Sequence, residues 1–319
     1  MNTLPDLLYC IAPMLANTRK IVVIVGPTCT GKSQFAMDLA LELNGEIVNA
    51  DSMQVFKYFN IGTAKQDDES RRIIPHHLID IIEPYEEFNA AIFKDMDDRS
   101  ISDIWKRGRI PIVVGGTGLY IRALIYDLFK VHVDRALRGK LNDLYDNDPV
   151  NFYENVKKID PEYGLKVSFR DKRRMVRAME VFQITGFSMS EWSQKHGFKN
   201  PRYMALKIGL KKPRDELFER INRRVEEMLE NGWVDEVKDI LAMGFNEKLK
   251  PFTSIGYREI LHYLHDSITY EDMVKDIKKF TRHYAKRQFT WFFGEKDISW
   301  YEYPEEQNAI KQRVINFLT

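Results

Sequence analysis

The segment Gly26-Pro27-Thr28-Cys29-Thr30-Gly31-Lys32-Ser33 matches the pattern G-x-x-x-x-G-K-[ST]. In such a loop the glycines let the chain turn successive backbone N–H groups inward around phosphate oxygens. Lys32 adds a point charge, the Ser33 hydroxyl can ligand Mg2+, and the helix that follows points its positive end at the anion. The pattern specifies phosphate without saying which phosphate compound. A nucleoside triphosphate hydrolase usually carries an aspartate at the end of an apolar strand to organise Mg2+. Here the apolar segment 110–114 runs instead into Gly115-Gly116-Thr117, and no N-K-x-D guanine signature is present. A glycine-rich turn without a ligand is the bland alternative; the strand expected before the loop and the helix expected after it argue for phosphate.

A carboxylate that could serve the loop is Asp51, at the expected carboxyl end of the second strand, where ligands of open α/β sheets sit. It could orient Mg2+ or accept a proton from a nucleophile there, and it could equally be an acidic cap on the next turn. Arg224 stands out for another reason. In a helix expected over residues 213–231, Leu217, Ile221, Val225 and Met228 form an apolar stripe. At about 3.6 residues per turn Arg224 falls inside that stripe, with Arg220 at its edge and Arg223 facing away. A buried guanidinium needs an anion. A diphosphate would do; so would a core carboxylate in a structural ion pair.

Two basic segments could neutralise RNA phosphates: Arg170, Lys172, Arg173, Arg174 and Arg177, and then Lys275, Lys279, Arg282 and Lys286 along one late helix. Phe280, Tyr284 and Trp291 interleave the second, as a surface that stacks bases requires, although most charge runs are only solvated faces. His76-His77 has no third ligand at matching spacing and reads as structural.

These residues need a scaffold, and the hydrophobic pattern supplies one. Residues 21–25 form a β-branched run, 32–44 show helical spacing, and 46–50 and 109–114 read as further strands. Strand, helix, strand, strand is the order of a parallel α/β sheet with helices on its faces. Strand character is missing from 129 to 202, where charged and apolar residues follow helical spacing, and it returns at 204–210. Another helix is expected from 273 to about 292. The expected architecture is therefore a P-loop NTPase-like α/β parallel sheet with flanking helices, built from 19–128 and 203–319, with a helical insertion domain at 129–202.

No run is long and apolar enough to cross a bilayer, and the segment 4–15 lacks the basic lead of a signal peptide, reading as an extension before the first strand. Two cysteines, Cys10 and Cys29, cannot build a disulfide framework, so a soluble cytoplasmic chain is expected. A net charge of +1 gives no global attraction to nucleic acid, which throws the burden onto the local patches. No coiled coil or obvious interface stripe is present, and a monomer is the default.

Beyond the loop, the segments N-A-D-S-M-Q-V-F at 49–56, I-G-T-A-K at 61–65, P-H-H-L-I-D at 75–80, V-G-G-T-G-L-Y at 114–120, S-I-G-Y-R at 254–258 and A-K-R-Q-F-T-W at 285–291 follow in an order that resembles the tRNA dimethylallyltransferases. The likeness runs from about residue 20 to 300 and thins between 129 and 200. It implies that dimethylallyl diphosphate is held by the loop from Gly26 to Ser33, with Mg2+ through Ser33 and help from Arg220. It further implies that the exocyclic amine of the adenosine immediately 3′ of the anticodon attacks the prenyl carbon. Asp51 would be the general base, Arg224 and Lys32 would act on the leaving group, and Thr117 would help place the nucleotide or the leaving group. The tRNA anticodon stem-loop would meet Asp51, Ser52, Met53, Gln54 and Thr117, with Arg138 as a weaker match. In the insertion the implied contacts are Arg173, Arg174, Met175, Val176 and Arg177. Towards the carboxyl end they are Thr253, Ser254, Ile255, Gly256, Tyr257 and Arg258, then Lys286, Arg287, Gln288 and Trp291. A departing diphosphate explains the missing hydrolase aspartate, since no γ-phosphate is cleaved. Cys29 and Thr30 stand where the family more often has Ala and Ser, which a loop binding through N–H groups tolerates. Two other readings share these features: a P-loop kinase, which would need ATP, and a non-catalytic RNA-binding protein on a nucleotide-type fold.

Overall fold

A computed structural model of the chain describes residues 19–128, 131 and 134–319. The expected amino-terminal extension, Cys10 and the expected domain boundary at 129 lie outside the described residues. The chain forms two compact units, one combining the segments up to Ile125 and from Arg202 onward, the other spanning Tyr126–Pro201.

In the first unit, β1 (Lys20–Val25), α1 (Lys32–Leu43), β2 (Gly45–Asn49), α2 (Asp68–Ile73), β3 (His76–His77), α3 (Ala90–Lys106), β4 (Ile110–Gly115) and α4 (Gly118–Tyr126) come first. In the second unit, α5 (Arg135–Asn147), α6 (Pro149–Ile159), α7 (Pro161–Lys166), α8 (Lys172–Thr185) and α9 (Met189–His196) follow. The first unit resumes with β5 (Met204–Lys211), α10 (Arg214–Glu230), α11 (Trp233–Ala242), α12 (Tyr257–Leu264), α13 (Tyr270–Phe293), β6 (Ile298–Glu302) and α14 (Gln307–Leu318).

All strand pairs are parallel, in the order β3-β2-β4-β1-β5-β6. Covered on both faces, the central strands are apolar along their whole length instead of alternating, which is why they were legible as runs. Val22, Ile24, Ile112 and Ile208 pack against Phe35 and Leu39 of α1 and against Ile310 and Val314 of α14. Ile21, Val23 and Val113, one residue out of phase, are buried on the other face, where α3 packs on β4 and β2.

Between the second and third strands the sequence reading has only a polar stretch, whereas the structure has α2, β3 and α3. The inner face of α3 carries Phe93, Asp97, Ile101 and Ile104, and the aspartate interrupts its apolar period. Burial, then the charge of Asp98, pushes the Asp97 carboxyl well above its usual range. The edge strands β3 and β6 also escape the sequence reading, the first because it is two residues long and the second because it is only half-buried.

The helical unit shows its logic at its caps. Asp134, Asp148, Asp160 and Asp171 each accept backbone N–H groups at the start of a helix, with Pro149 and Pro161 in the first turn of two of them. Its own core gathers Leu141, Tyr145, Phe152, Val156, Val167, Met175, Val176 and Met179.

Candidate active site

The phosphate loop joins β1 to α1 at the carboxyl end of the central strand. Gly26 has φ 140° and Gly31 φ 90°. A Cβ at Gly26 would lie 2.3 Å from the Leu210 carbonyl oxygen, and one at Gly31 would lie 2.7 Å from the Tyr303 ring, so neither position admits another residue. The Thr30 hydroxyl turns inward and donates to the Pro27 carbonyl at 2.9 Å. Lys32 Nζ donates to the same carbonyl at 2.5 Å. Pro27 has no N–H, and with Gly26 and Thr30 it stands off the cleft wall. These three therefore shape the loop, while Thr28, Cys29, Gly31, Lys32 and Ser33 line the cleft.

That cleft has a volume of about 740 Å3 and brings the loop together with Asp51, Ser52, Met53, Gln54, Gly116, Arg224, Thr253, Ser254, Ile255, Arg258, Tyr284, Arg287 and Gln288. The Asp51 carboxylate lies past the end of β2, with its Oδ1 accepting from Met53 N at 2.7 Å and Gln54 N at 3.2 Å. The turn-capping role expected as a rival is thus real, and it coexists with exposure to the cleft, since both N–H groups go to Oδ1 and Asp51 lines the cleft.

Lys32 feels this surrounding. Its pKa is lowered from 10.5 to about 8, chiefly by burial and also by the Arg224 charge, with Cys29 and Asp51 opposing the shift. The residue keeps partial contact with the cleft even though its ammonium is enclosed. Arg224 reaches the cleft from α10, with Nη1 3.7 Å from Cys29 Sγ. Among the described residues no carboxylate lies within ion-pair distance of it, so the structural ion pair is not formed. Arg220, expected beside the diphosphate, turns to Glu216 at 3.3 Å and is not among the residues that line the cleft.

Other expected contacts also move. The Thr117 hydroxyl is buried behind the wall without a full hydrogen bond, beside Tyr284. Gln288 is buried and bridges two site loops: its Oε1 accepts from Thr28 N at 2.9 Å and its Nε2 donates to the Gly116 carbonyl at 3.0 Å. It therefore positions the phosphate loop. Tyr257 is fully buried, and Gly256 packs on Trp233. Lys286, Arg287 and Trp291 border a second, shallower depression with His283 and Thr290. The aromatics expected to stack on bases are already covered by cations: Arg122 lies 4.4 Å over Trp291, Arg258 5.2 Å over Phe280 and Arg287 5.6 Å over Tyr284.

In the helical unit Arg173 and Arg174 are exposed, but Met175 and Val176 belong to the core and cannot offer side chains to RNA. Arg138 and Arg177 both donate to the buried Glu180 at 2.6 Å. At the other end of the sheet, His77 Nε2 lies 2.6 Å from Glu46 and His76 Nδ1 2.7 Å from the Ile74 carbonyl, which makes the pair structural.

The residue the sequence reading missed is Tyr284. Burial, then the negative charge of Asp51, raises its hydroxyl above the usual range, so it stays protonated beside the carboxylate. It was visible only as one aromatic among basic residues.

A six-stranded parallel sheet with a glycine-lysine phosphate loop, and with an acid and an unpaired arginine in the same cleft, defines a P-loop-like group-transfer protein. The family model described as IPP transferase matches residues 54–295 and that described as Isopentenyl transferase matches 19–73. The chain belongs to this isopentenyl transferase family, the tRNA dimethylallyltransferases. It is 43% identical over 306 residues to the tRNA dimethylallyltransferase of Thermoanaerobacter sp. (strain X514), covering 94% of this chain and 97% of that one. Among solved structures it is similar to the full-length tRNA isopentenylpyrophosphate transferase of Bacillus halodurans, with TM-score 0.70, 36% identity and 94% and 97% coverage. It is also similar to a eukaryotic dimethylallyltransferase acting on tRNA, with TM-score 0.79, 31% identity and 93% and 78% coverage. Among the described residues no helix is long and apolar enough to cross a membrane.

Proposed function

We propose that the cleft transfers the dimethylallyl group of dimethylallyl diphosphate to the exocyclic amine of the adenosine immediately 3′ of the anticodon in tRNA. The observation that carries the reading is the presence, in one open cleft, of Asp51, Lys32 and an Arg224 that no carboxylate among the described residues neutralises. The diphosphate lies against the N–H groups of the loop, with Lys32 and Arg224 as its countercharges. The bond from the prenyl carbon to the diphosphate oxygen breaks as the amine nitrogen bonds to that carbon. Charge gathers on the leaving oxygens, where fixed cations and N–H dipoles are most effective. The amine proton passes to the Asp51 carboxylate, which lines the same cleft as Tyr284. Ile221, Val225 and Met228 of α10 give the same cleft an apolar border for the five-carbon chain.

A divalent cation of the Mg2+ type fits the donors at hand, the Ser33 hydroxyl and the oxygens of the diphosphate itself. Among the described residues no cluster of three His, Cys, Asp or Glu side chains would bind it independently. When bound it neutralises diphosphate charge. For the RNA, Arg258, Arg287, Lys286 and Thr253 of the first unit are available at or near the cleft. The helical unit, taken alone, exposes Arg173 and Arg174 for phosphate contacts. A cytoplasmic monomer is the working state.

The test is to incubate the protein with labelled dimethylallyl diphosphate and tRNA, without ATP, and then with ATP and candidate acceptors. Label in tRNA without ATP supports the transfer. ATP-dependent phosphorylation replaces it with a kinase, and RNA binding without label transfer replaces it with a binding protein.

A further inference from the structure

The Glu236 carboxylate, on α11, contacts the loop at 60–62 through an arrangement that ordinary surface charge does not need. Its Oε2 accepts from Asn60 N at 2.9 Å and Ile61 N at 2.7 Å. Its Oε1 accepts from Gly62 N at 3.4 Å and from the Tyr257 hydroxyl at 2.6 Å. A carboxylate has about four lone-pair sites, and all are used. Three successive backbone N–H groups closing on one anion form a nest, the arrangement by which loops bind phosphate. Here an internal carboxylate fills it, and no ion pair among the described residues involves that carboxylate.

The neighbours make the contact selective. Trp233, one helical turn before Glu236, lies so close to the loop that a Cβ at Gly62 would fall 2.1 Å from its indole nitrogen, and one at Gly256 1.9 Å from its ring. Tyr257 is fully buried, and burial followed by the Glu236 charge keeps its hydroxyl protonated and donating. From its other side the loop is read by Gln54, whose Nε2 donates to the carbonyls of Thr63 at 2.9 Å and Ala64 at 3.3 Å. Gln54 N in turn donates to Asp51 Oδ1. An unbroken run of hydrogen bonds and backbone thus leads from Glu236, through Gly62 to Ala64 and Gln54, to the Asp51 carboxylate. Gly62, Thr63 and Ala64 line the cleft.

We infer that Glu236 is a positioning residue: by filling the nest at 60–62 and receiving Tyr257, it holds the wall at 62–64 against Gln54 and so sets where the nucleic-acid acceptor meets Asp51. This rests on the reading of the cleft as an RNA prenylation site. Glu236 touches neither the phosphate loop nor Arg224, so its loss acts on the acceptor side alone. An amide at this position turns an NH2 group onto donors that need an acceptor.

Three readouts on Glu236→Gln test this: the affinity of a synthetic anticodon stem-loop, the affinity of dimethylallyl diphosphate alone, and the hydrogen exchange of the amides at 60–62. The expectation is about tenfold weaker RNA binding, prenyl diphosphate binding within about twofold, and amide exchange about tenfold faster. Glu236→Asp, which keeps the charge on a shorter arm, should recover part of the RNA affinity. Unchanged RNA affinity in a folded variant, or an equal loss of both ligands, overturns the inference. If Glu236→Gln does not fold, Tyr257→Phe removes one of the four donors and is scored by the same split, a threefold RNA-selective loss supporting the clamp and none refuting it. Wild-type protein that binds no RNA would sink the functional reading, while the exchange of the loop amides would still decide the clamp.

Discussion

Replacing Lys32 by methionine should make the ligand-free protein more stable while abolishing its activity. Burial moves the lysine from 10.5 to about 8. At about 1.4 kcal/mol per unit, that shift corresponds to roughly 3 kcal/mol against folding with the charge present. Two effects reduce it. Solvent in the open cleft screens part of the charge, and the variant loses the hydrogen bond to the Pro27 carbonyl, which nevertheless keeps the Thr30 hydroxyl. A net gain of about 1–2 kcal/mol remains, or a few degrees in Tm. The pH dependence gives the sharper check. The unfolded chain holds this proton up to 10.5, whereas the native chain releases it near 8. Within that window the unfolded state binds more protons, so wild-type stability rises with pH. Methionine has no proton to lose. The variant's advantage should therefore be full below about 8 and gone near 10.5. Equilibrium urea unfolding of both proteins across this range measures it. A variant less stable than wild type at about pH 7, or a gap that does not narrow as pH rises, would refute the buried-charge account.

Arg224→Ala should lower the rate of prenyl transfer by about 100- to 1,000-fold with unfolding unchanged, because no structural ion pair is broken; single-turnover kinetics decide between this and a mere rise in KM. Asp51→Asn keeps an oxygen for Met53 N and Gln54 N but loses the base, so transfer should fall by about 100- to 10,000-fold while Tm holds; a matching loss of Tm would make Asp51 structural. Glu46→Ala should destabilise the sheet by about 1–2 kcal/mol, because Arg107 loses two hydrogen bonds to the buried carboxylate but is itself nearly half exposed, so water solvates the charge left behind. Burial alone would raise the Glu46 carboxyl, but hydrogen bonds from Arg107 and His77 outweigh it and hold it below 4.5. The stability it contributes is present above that value and is lost as pH falls through the lowered one, which acid unfolding of wild type against Glu46→Gln would detect.

The phosphate loop was readable because its chemistry is local. A run of β-branched residues, two glycines and a lysine at fixed spacing determine a strand, a turn and a helix start without help from distant chain. The same holds for Asp51 at the end of β2 and for the apolar stripe that marked Arg224. Only the tertiary structure decided what meets these groups. Gln288 lies 260 positions from Thr28 and yet orients its N–H, and Tyr284 comes from the same late helix to line the cleft with Asp51. Neither pairing leaves a trace in composition or period. The sequence suggested that Met175, Val176 and Tyr257 could touch RNA, since a motif names every residue within it; folding buries those three and exposes Arg173, Arg174 and Arg258. That Arg224 meets no core carboxylate among the described residues also waited on the fold, because a helical period places a side chain on a face and says nothing of the charge opposite. Residue types and spacing determine local geometry, and packing alone decides which partner each polar group finds.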